Sequence, residues 1–227
     1  MNDGWDVAAA LAAVRARMRA ACERVGRSPD GVQLLAVSKF HEPASIRRAH
    51  AAGQREFGEN YVRELADKAQ ALGDLPALHW SLIGRLQRNK AKDVARIGCA
   101  VQTIDSSRLV EALANRAAEV GRVLDVFVQV NIAAEPQKAG ASIAELPQLT
   151  AAVRGAPSLR LRGLMTIPKA DADEAETRGY FRRMRALATE LDVSELSMGM
   201  SDDFEIAIEE GATLVRIGTA IFGPRRG

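Results

Sequence analysis

Eight short apolar segments recur along this chain from residue 32 onward, and a segment with a helical repeat of apolar residues separates each from the next. The apolar runs, such as residues 126–130, are nearly continuous, which is typical of strands in a parallel sheet that is covered on both faces. Strands that alternate with helices predict an α/β fold. The predicted strands are residues 32–39, 55–59, 78–83, 99–104, 125–131, 160–167, 195–199 and 214–218. The predicted helices between them are residues 43–53, 60–72, 87–96, 106–120, 142–155, 172–190 and 202–210.

Eight strands in a chain of 227 residues predict a single (β/α)8 TIM-type barrel over residues 1–227, because such barrels need about 250 residues. An open, doubly wound sheet is the alternative. Residues 37–43, which follow the first strand, contain no glycine, and this argues against the dinucleotide-binding form of that sheet. Residues 5–26 carry an apolar stripe with a helical period. We therefore expect an extra N-terminal helix that packs on the barrel rather than a dimerising coil.

Composition and residue spacing argue against several functions. The formal net charge of +2 is too small to indicate nucleic acid or an acidic membrane as the main partner. The basic stretch at residues 84–92 lacks interleaved aromatic residues, so a solvated helix face is the expectation there. Neither the three histidines nor Cys22 and Cys99 show metal-ligand spacing, and no metal site is expected. The cysteine pattern and an N-terminus without a basic signal-peptide segment predict a cytoplasmic protein, and no apolar run is long enough to span a membrane.

A lysine closes the first predicted strand. Lys39 follows an apolar run and, because side chains alternate along a strand, shares a face with Leu35 and Val37. Desolvation at the mouth of a barrel favours the neutral amine, which can attack an aldehyde, whereas a lysine that reaches out to solvent is the alternative. Lys138 and Lys169 also follow predicted strands. Both lie in polar loops, where we expect a solvated side chain.

Two loops near the C-terminus carry groups that suit an anion, and the loops after strands seven and eight are the usual phosphate site of such barrels. The first loop runs from Ser197 to Ser201, where backbone N–H groups and hydroxyls could cradle a phosphate. An ordinary helix N-cap by Ser201 is the alternative. Gly218 and Thr219 offer similar donors after the eighth strand. Arg216 lies within that strand, where a charge needs either a structural partner or a ligand.

Seven segments resemble those of the pyridoxal-phosphate homeostasis proteins, a family whose fold is like the N-terminal barrel domain of alanine racemase. They occur in order over nearly the whole chain and are specific in combination. The segments are Leu35-Ala36-Val37-Ser38-Lys39; Phe57-Gly58-Glu59-Asn60-Tyr61-Val62; Ile83-Gly84 with Leu86-Gln87 and Asn89-Lys90; Val130-Asn131 with Glu135, Lys138 and Gly140; Gly163-Leu164-Met165-Thr166-Ile167; Leu196-Ser197-Met198-Gly199-Met200-Ser201 with Asp203; and Val215-Arg216-Ile217-Gly218 with Ile221-Phe222-Gly223. One segment departs from the family pattern, because Trp80-Ser81-Leu82 stands where family members often carry Trp-His-Phe. No acid/base role can therefore be assigned to position 81.

The resemblance implies a complete cofactor site. Lys39 would hold pyridoxal 5′-phosphate (PLP) as an internal aldimine, which is a Schiff base. Asn60 would lie near the lysine and the ring, and Arg216 would face the pyridine nitrogen. The implied contacts around the phosphate are Ser197, Met198, Gly199, Ser201, Gly218 and Thr219.

The implied site bears on the choice between a carrier and an enzyme. An arginine keeps the pyridine nitrogen unprotonated, which makes the ring a weaker electron sink. Racemisation needs acid/base groups on both faces of the substrate, and Tyr61 and Tyr180 are the only tyrosines. We therefore predict a PLP-binding protein of vitamin B6 homeostasis that affects amino-acid metabolism, without an established catalytic residue.

Two other functions stay open. One is a single-domain PLP-dependent amino-acid racemase or lyase, and the other is a barrel with a plain phosphate site and no covalent cofactor. For the predicted homeostasis protein, PLP is the expected ligand, PLP-dependent apo-enzymes are candidate recipients, and a monomer or weak dimer is the expected state.

Overall fold

The computed structural model describes residues 5–224 and shows a closed barrel of eight parallel strands, which pair in the order β1 to β8 with β8 returning to β1. The α/β barrel prediction is confirmed, and the open-sheet alternative is wrong. The strands are β1 (Gln33–Val37), β2 (Glu56–Glu59), β3 (His79–Leu82), β4 (Ala100–Ile104), β5 (Leu124–Val130), β6 (Leu159–Thr166), β7 (Glu195–Ser197) and β8 (Leu214–Ile217).

Helices cover the outside of the barrel. They are α1 (Val7–Arg24), α2 (Pro43–Ala51), α3 (Val62–Ala71), α4 (Ala91–Ile97), α5 (Ser107–Glu119), α6 (Leu146–Arg154), α7 (Glu174–Glu190), α8 (Phe204–Glu209) and α9 (Thr219–Phe222). Short 3-10 turns occupy Pro29–Gly31, Arg88–Lys90 and Ile143–Glu145. Two boundaries and one element differ from the sequence prediction in ways that affect the site. β1 ends two residues earlier and α3 begins two residues later than predicted, and the four-residue helix α9 was not predicted.

The extra N-terminal helix packs on the barrel as predicted. Asp6 caps α1 by accepting hydrogen bonds from the next turn's N–H groups. The apolar stripe of α1 is buried, and the helix contacts α2, α8 and α9. Just before the helix, Trp5 Nε1 donates a hydrogen bond of 2.8 Å to the carbonyl of Ile221 on α9. This hydrogen bond therefore links the residue before α1 to helix α9.

The buried residues form two layers, one inside the barrel and one between barrel and helices. On β1, Leu34 and Ala36 belong to the apolar cluster shared with the helices. Leu35 and Val37 alternate with them and are also buried, so they face the barrel interior. Arg216 of β8 lies opposite Leu35 in the strand register. Because of this register, a charged side chain enters the barrel interior beside Leu35.

Within residues 5–224, no helix has the length and apolarity needed to cross a bilayer. The same part of the chain contains no cluster of three or more histidine, cysteine or acidic side chains that could hold a metal ion. Ser81, the position that departs from the family pattern, is buried within β3 opposite Gly58 of β2.

Candidate functional site

Four neighbouring strands bring the predicted site residues to one arc of the barrel mouth. β7 pairs with β8, β8 with β1, and β1 with β2. Because the strands are parallel, the segments that follow them open at the same end. The arc carries, in order, Ser201, Thr219, Lys39 and Asn60. Residues that are far apart in the sequence therefore meet at the carboxyl end of the barrel.

Lys39 lies in a tight turn immediately after β1, which we call the Lys39 turn (residues 38–41). The N–H of His41 donates to the carbonyl of Ser38 at 3.0 Å and closes the turn. Phe40, the third residue, has a φ of +67°, whereas Lys39 has no positive φ. This is the sign pattern of a type II turn, which favours glycine at the third position. Lys39 itself is half-buried, so the structure places it in a partly covered turn at the barrel mouth.

A buried cluster of charged side chains supports this turn, and sequence reasoning missed it. Lys68 on α3 is only 5% exposed, and its ammonium donates three hydrogen bonds of 2.7 Å, to the Ser38 carbonyl, Glu59 Oε1 and Glu64 Oε1. Ser38 Oγ donates to the same oxygen of Glu59 at 2.6 Å. The N–H of Phe40 donates to Glu64 Oε1, also at 2.6 Å. The cluster, which we call the Lys68 cluster, therefore contacts the backbone on both sides of the predicted cofactor lysine.

The sequence holds a signal for this cluster. Glu64 and Lys68 are four residues apart on one helix, a spacing that favours an ion pair. Lys68 also lies three residues after Leu65, on the buried face of α3. A lysine on a buried face needs a buried countercharge, and Glu59 at the end of β2 supplies it. Burial raises the pKa of Glu59 above its usual range, although the hydrogen bond from Lys68 acts in the opposite direction.

Arg216 is a second buried cation, with a different environment. It is 3% exposed and donates hydrogen bonds of 2.8 Å to Ser197 Oγ and to the carbonyl of Thr166. Both partners are neutral, and no carboxylate of the described chain forms an ion pair with its guanidinium. Burial lowers the pKa of Arg216 to about 10, so the side chain stays charged at neutral pH. Structural pairing therefore satisfies its donors in part, and Asp203 acts on its charge electrostatically without forming an ion pair.

Two residues predicted to contact a phosphate have side chains that face elsewhere. Ser197 ends β7 and is fully buried, and its hydroxyl donates to Gln102 Oε1 at 2.6 Å while it accepts from Arg216. The side chain of Met198 lies in the apolar core, and its N–H donates to the carbonyl of Leu214 at 3.1 Å. Because β7 extends through Ser197, its side chain points into the barrel. Ser197 therefore positions Arg216, and Met198 packs the core.

Gly199 and Asp203 shape the loop after β7. Gly199 has a φ of +93°, and a Cβ at this position would lie 2.6 Å from the Cβ of Ala207, so the close approach of loop and helix requires glycine. The Asp203 carboxylate accepts a hydrogen bond of 2.6 Å from the N–H of Met200, and burial raises its pKa. Ser201 is half-buried between them. Asp203, not Ser201, precedes α8, so the N-cap alternative for Ser201 is wrong.

Gly218 and Thr219 begin α9 directly after β8. Gly218 is the N-cap residue and Thr219 the first residue of the helix. The first N–H groups of any helix have no acceptor within that helix, so this segment presents backbone donors beside the threonine hydroxyl. The ring of Phe222 lies 5.1 Å from the ring of His41, measured between centroids. Helix α9, which the predicted phosphate donors begin, therefore packs against the Lys39 turn through Phe222.

Asn60 lies beside Lys39 in the arc. Each residue is two positions beyond the β1–β2 pair formed by Val37 and Gly58. A Cβ on Gly84 would lie 2.0 Å from the carbonyl oxygen of Asn60, so glycine lets the loop after β3 pack against the Asn60 backbone. Asn60 Oδ1 is buried and accepts no hydrogen bond from any residue between 5 and 224. The site thus holds one polar atom that its described protein neighbours do not satisfy.

The two rival lysines lie in loops with carboxylates. Lys138 donates to the Pro168 carbonyl at 3.0 Å and lies 2.6 Å from the Glu135 carboxylate. Lys169 lies 3.3 Å from the Asp171 carboxylate, and the hydrogen bond to Asp171 raises its pKa. Each side chain is partly covered and paired with a carboxylate, rather than fully solvated as we expected from the polar loops.

Comparison with known proteins identifies the class of this barrel. The sequence matches the family model described as "Alanine racemase, N-terminal domain" over residues 10–226. It is 46% identical over 221 residues to the pyridoxal phosphate homeostasis protein of Pseudomonas aeruginosa, with 96% of each chain covered. It is 44% identical over 227 residues to the protein of the same name from Escherichia coli K12, with 97% of each chain covered. The chain therefore belongs to the alanine racemase N-terminal domain family and, within it, to the pyridoxal-phosphate homeostasis proteins.

Solved structures show the same fold in a relative with PLP bound and in a more distant alanine racemase. PipY of Synechococcus elongatus PCC7942, solved with PLP bound, is 40% identical, with a TM-score of 0.83 and coverage of 96% of this chain and 100% of PipY. An alanine racemase from Corynebacterium glutamicum has a TM-score of 0.69 at 20% identity, and this chain covers 62% of it. The second likeness shows a shared fold alone.

Proposed function

We propose that this protein binds PLP covalently through Lys39 and serves in the homeostasis of that cofactor, without turning over amino acids itself. The observation that carries the proposal is the arrangement of Lys39 and Arg216, a half-buried lysine and a buried arginine that forms no ion pair within residues 5–224, on adjacent strands at one barrel end. The names of the curated relatives and the PLP-bound PipY structure support it.

The chemistry of the residues present fits the chemistry of PLP. The cofactor has an aldehyde, a phosphate, a ring hydroxyl and a pyridine nitrogen, and when bound it supplies an electron-withdrawing ring. Lys39 offers an amine for the aldehyde. Ser201, Gly218 and Thr219 offer hydroxyl and backbone donors for the phosphate. Asn60 Oδ1 is a buried acceptor that no described residue satisfies, which suits a donor on a bound ligand.

Arg216 would lie at the pyridine nitrogen. A guanidinium has donors and no acceptor, so it can hold an unprotonated nitrogen and cannot stabilise a protonated one. Ser197 and the Thr166 carbonyl fix two of its N–H groups. Because its pKa stays at about 10, the arginine keeps its proton over the physiological pH range. This arrangement limits the electron-withdrawing power of the ring and favours storage over carbanion chemistry.

The two tyrosines do not favour an enzymatic role. Tyr180 lies on the outer helix α7, and its hydroxyl donates to Glu176 Oε1 at 2.6 Å, which raises its pKa to about 12. Tyr61 is 54% exposed, and its ring lies 5.6 Å from the ring of Phe40. Neither surrounding is that of a base opposite Lys39. We accordingly propose a carrier, with PLP-dependent apo-enzymes as recipients, a monomer or weak dimer as its state, and the cytoplasm as its location.

The test is reductive trapping followed by peptide mapping. Purified protein is mixed with PLP, reduced with borohydride and digested, and the modified lysine is located by mass spectrometry. We expect the adduct on Lys39, loss of the adduct and of visible absorbance in Lys39→Ala, and no change in the matched variant Lys169→Ala. An adduct that persists in Lys39→Ala would refute the assignment. α-Proton exchange of D- or L-alanine by the loaded protein that disappears in Lys39→Ala would refute the carrier role.

A further inference from the structure

The Lys39 turn adopts a backbone conformation that its own sequence does not favour. Phe40 has a φ of +67°, in the left-handed region that a side chain with a Cβ disfavours. A residue in this region persists only where its surroundings hold it. Phe40 is 55% exposed, and its ring lies 5.6 Å from the ring of Tyr61. Backbone hydrogen bonds on both sides of Lys39 also contribute to holding this conformation.

The Lys68 cluster makes those contacts. Lys68 Nζ donates to the Ser38 carbonyl before Lys39, and Glu64 Oε1 accepts from the Phe40 N–H after it. Lys68 and Glu64 are themselves joined at 2.7 Å, so one ion pair on α3 grips both sides of the turn. Burial of Lys68 and its second carboxylate, Glu59, fixes the ammonium in place.

We propose that Lys68 and Glu64 are positioning residues that hold the Lys39 turn in its left-handed conformation and so fix the direction in which Lys39 leaves β1. This inference rests on the proposed function of Lys39 for its consequence, but the clamp itself is a property of the protein without cofactor. Three N–H groups of Lys68 are used, on one backbone carbonyl and two carboxylates, which leaves the ammonium no donor for a ligand. Lys68 therefore acts through the turn and not on the cofactor.

The first readout is hydrogen exchange of the Phe40 amide in protein without added PLP. Glu64→Ala removes the acceptor and should raise the exchange rate at least about tenfold, whereas Glu64→Gln keeps an acceptor oxygen at the same place and should retain most of the protection. The matched control is Glu174→Ala, which removes another acidic partner at i,i+4 spacing, from Arg178 on α7. It should leave Phe40 exchange unchanged.

The second readout is the rate of reductive PLP attachment at Lys39, mapped by mass spectrometry. Glu64→Ala should slow attachment about fivefold to tenfold, and Glu64→Gln should restore most of the rate. Phe40→Gly should restore part of the rate in the Glu64→Ala background, because glycine adopts a positive φ without strain. This rescue separates a role in the turn from a general loss of packing.

The outcomes distinguish the clamp from the function. Unchanged Phe40 exchange and unchanged attachment in Glu64→Ala would overturn the clamp. If Glu64→Ala does not fold, the effect of Lys68→Gln is measured in two backgrounds, the unaltered chain and Phe40→Gly. The clamp predicts that Lys68→Gln slows PLP attachment at Lys39 less when residue 40 is glycine than when it is phenylalanine. Absence of any Lys39 adduct in the unaltered protein would refute the proposed function, while the exchange measurement would still confirm or overturn the clamp.

Discussion

Two buried cations within residues 5–224, Lys68 and Arg216, lie at the same end of one barrel and are compensated in different ways. Lys68 has two carboxylates within 2.7 Å. Arg216 has a hydroxyl and a backbone carbonyl at 2.8 Å, and no carboxylate pairs with it among residues 5–224. Burial of any ion carries a large desolvation penalty, so each arrangement must be explained by what the charge does.

The difference separates a structural charge from a ligand-directed one. The ammonium of Lys68 donates all of its hydrogen bonds to groups of the protein, namely Glu59, Glu64 and the Ser38 carbonyl. Arg216 donates its hydrogen bonds to neutral groups, and the nearest carboxylate influence on its charge, that of Asp203, acts without a direct ion pair. A buried cation without a carboxylate in direct contact is better compensated where a ligand completes its surroundings. The desolvation penalty of Lys68 is thus offset by the carboxylates of Glu59 and Glu64. We propose that the cofactor offsets part of the penalty of Arg216.

The largest expected effect comes from removing one cation at a time. Lys68→Met leaves the buried Glu59 and the half-buried Glu64 without their shared cation, and we expect the free energy of unfolding to fall by about 3–5 kcal/mol. Arg216→Met removes a cation that forms no direct ion pair and acts on Asp203 from a longer distance, so the loss should be smaller, about 1–2 kcal/mol from two hydrogen bonds. Urea unfolding of both variants without cofactor measures the difference. Equal losses would mean that the two cations are compensated alike.

The pH dependence of the Lys68→Met variant is the next effect in size. Burial already raises the pKa of Glu59, and loss of Lys68 removes the main influence that lowers it. A raised carboxyl pKa means that the native state holds a proton which the unfolded chain releases above the ordinary glutamate pKa of about 4.5. Stability is therefore fully present below that value and lost as the pH rises through the higher native pKa.

We accordingly expect the destabilisation by Lys68→Met to be greater at pH 8 than at pH 5, with a slope of at most about 1.4 kcal/mol per pH unit for one proton. Unfolding at a series of pH values measures this slope. The double variant Lys68→Met with Glu59→Gln is the control, because it lacks the titrating group and should show a flatter profile. A loss that grows toward acid pH would contradict the assignment of Glu59.

The third expected effect concerns the ligand. Arg216→Met should weaken PLP binding about tenfold, which corresponds to 1.4 kcal/mol, because the ring nitrogen loses a charged donor. Arg216→Glu should in addition alter the visible spectrum of the bound cofactor, since a carboxylate favours protonation of the ring nitrogen. Titration with PLP followed by absorbance measures both. Unchanged affinity and an unchanged spectrum would make Arg216 purely structural.

Much of the fold was predictable because its signals are local. Strands such as β1 and β5 are largely apolar runs, and a long helix such as α5 shows its period within its own residues. Helix α9 was missed because its four residues span barely one turn and cannot display a period. The single charges Lys39 and Arg216 were visible because each follows or interrupts an apolar strand.

The remainder of the site depends on contacts that only the closed barrel creates. The role of Lys68 follows from its contacts with Ser38 and Glu59, which lie outside its own helix. The hydroxyl of Ser197 suits a phosphate when the sequence is considered alone, but it contacts Gln102, 95 residues away on β4. A hydroxyl's partner follows from strand register across the barrel, which a single sequence does not display.

The smallest expected difference in stability is the one between alanine variants of two buried serines, one beside each cation. Ser38→Ala removes one donor from Glu59 Oε1, which keeps its bond to Lys68, so we expect a loss of about 1 kcal/mol in unfolding free energy. Ser197→Ala deprives both Arg216 and Gln102 of their shared partner, and two buried polar groups left without it should cost about 2 kcal/mol. Gln102→Leu in the Ser197→Ala background should recover part of that loss, because it removes one of the two orphaned groups. Urea unfolding of the four proteins tests this, and a larger loss for Ser38→Ala than for Ser197→Ala would mean that the carboxylate-rich side depends more on its hydroxyl than the neutral side does.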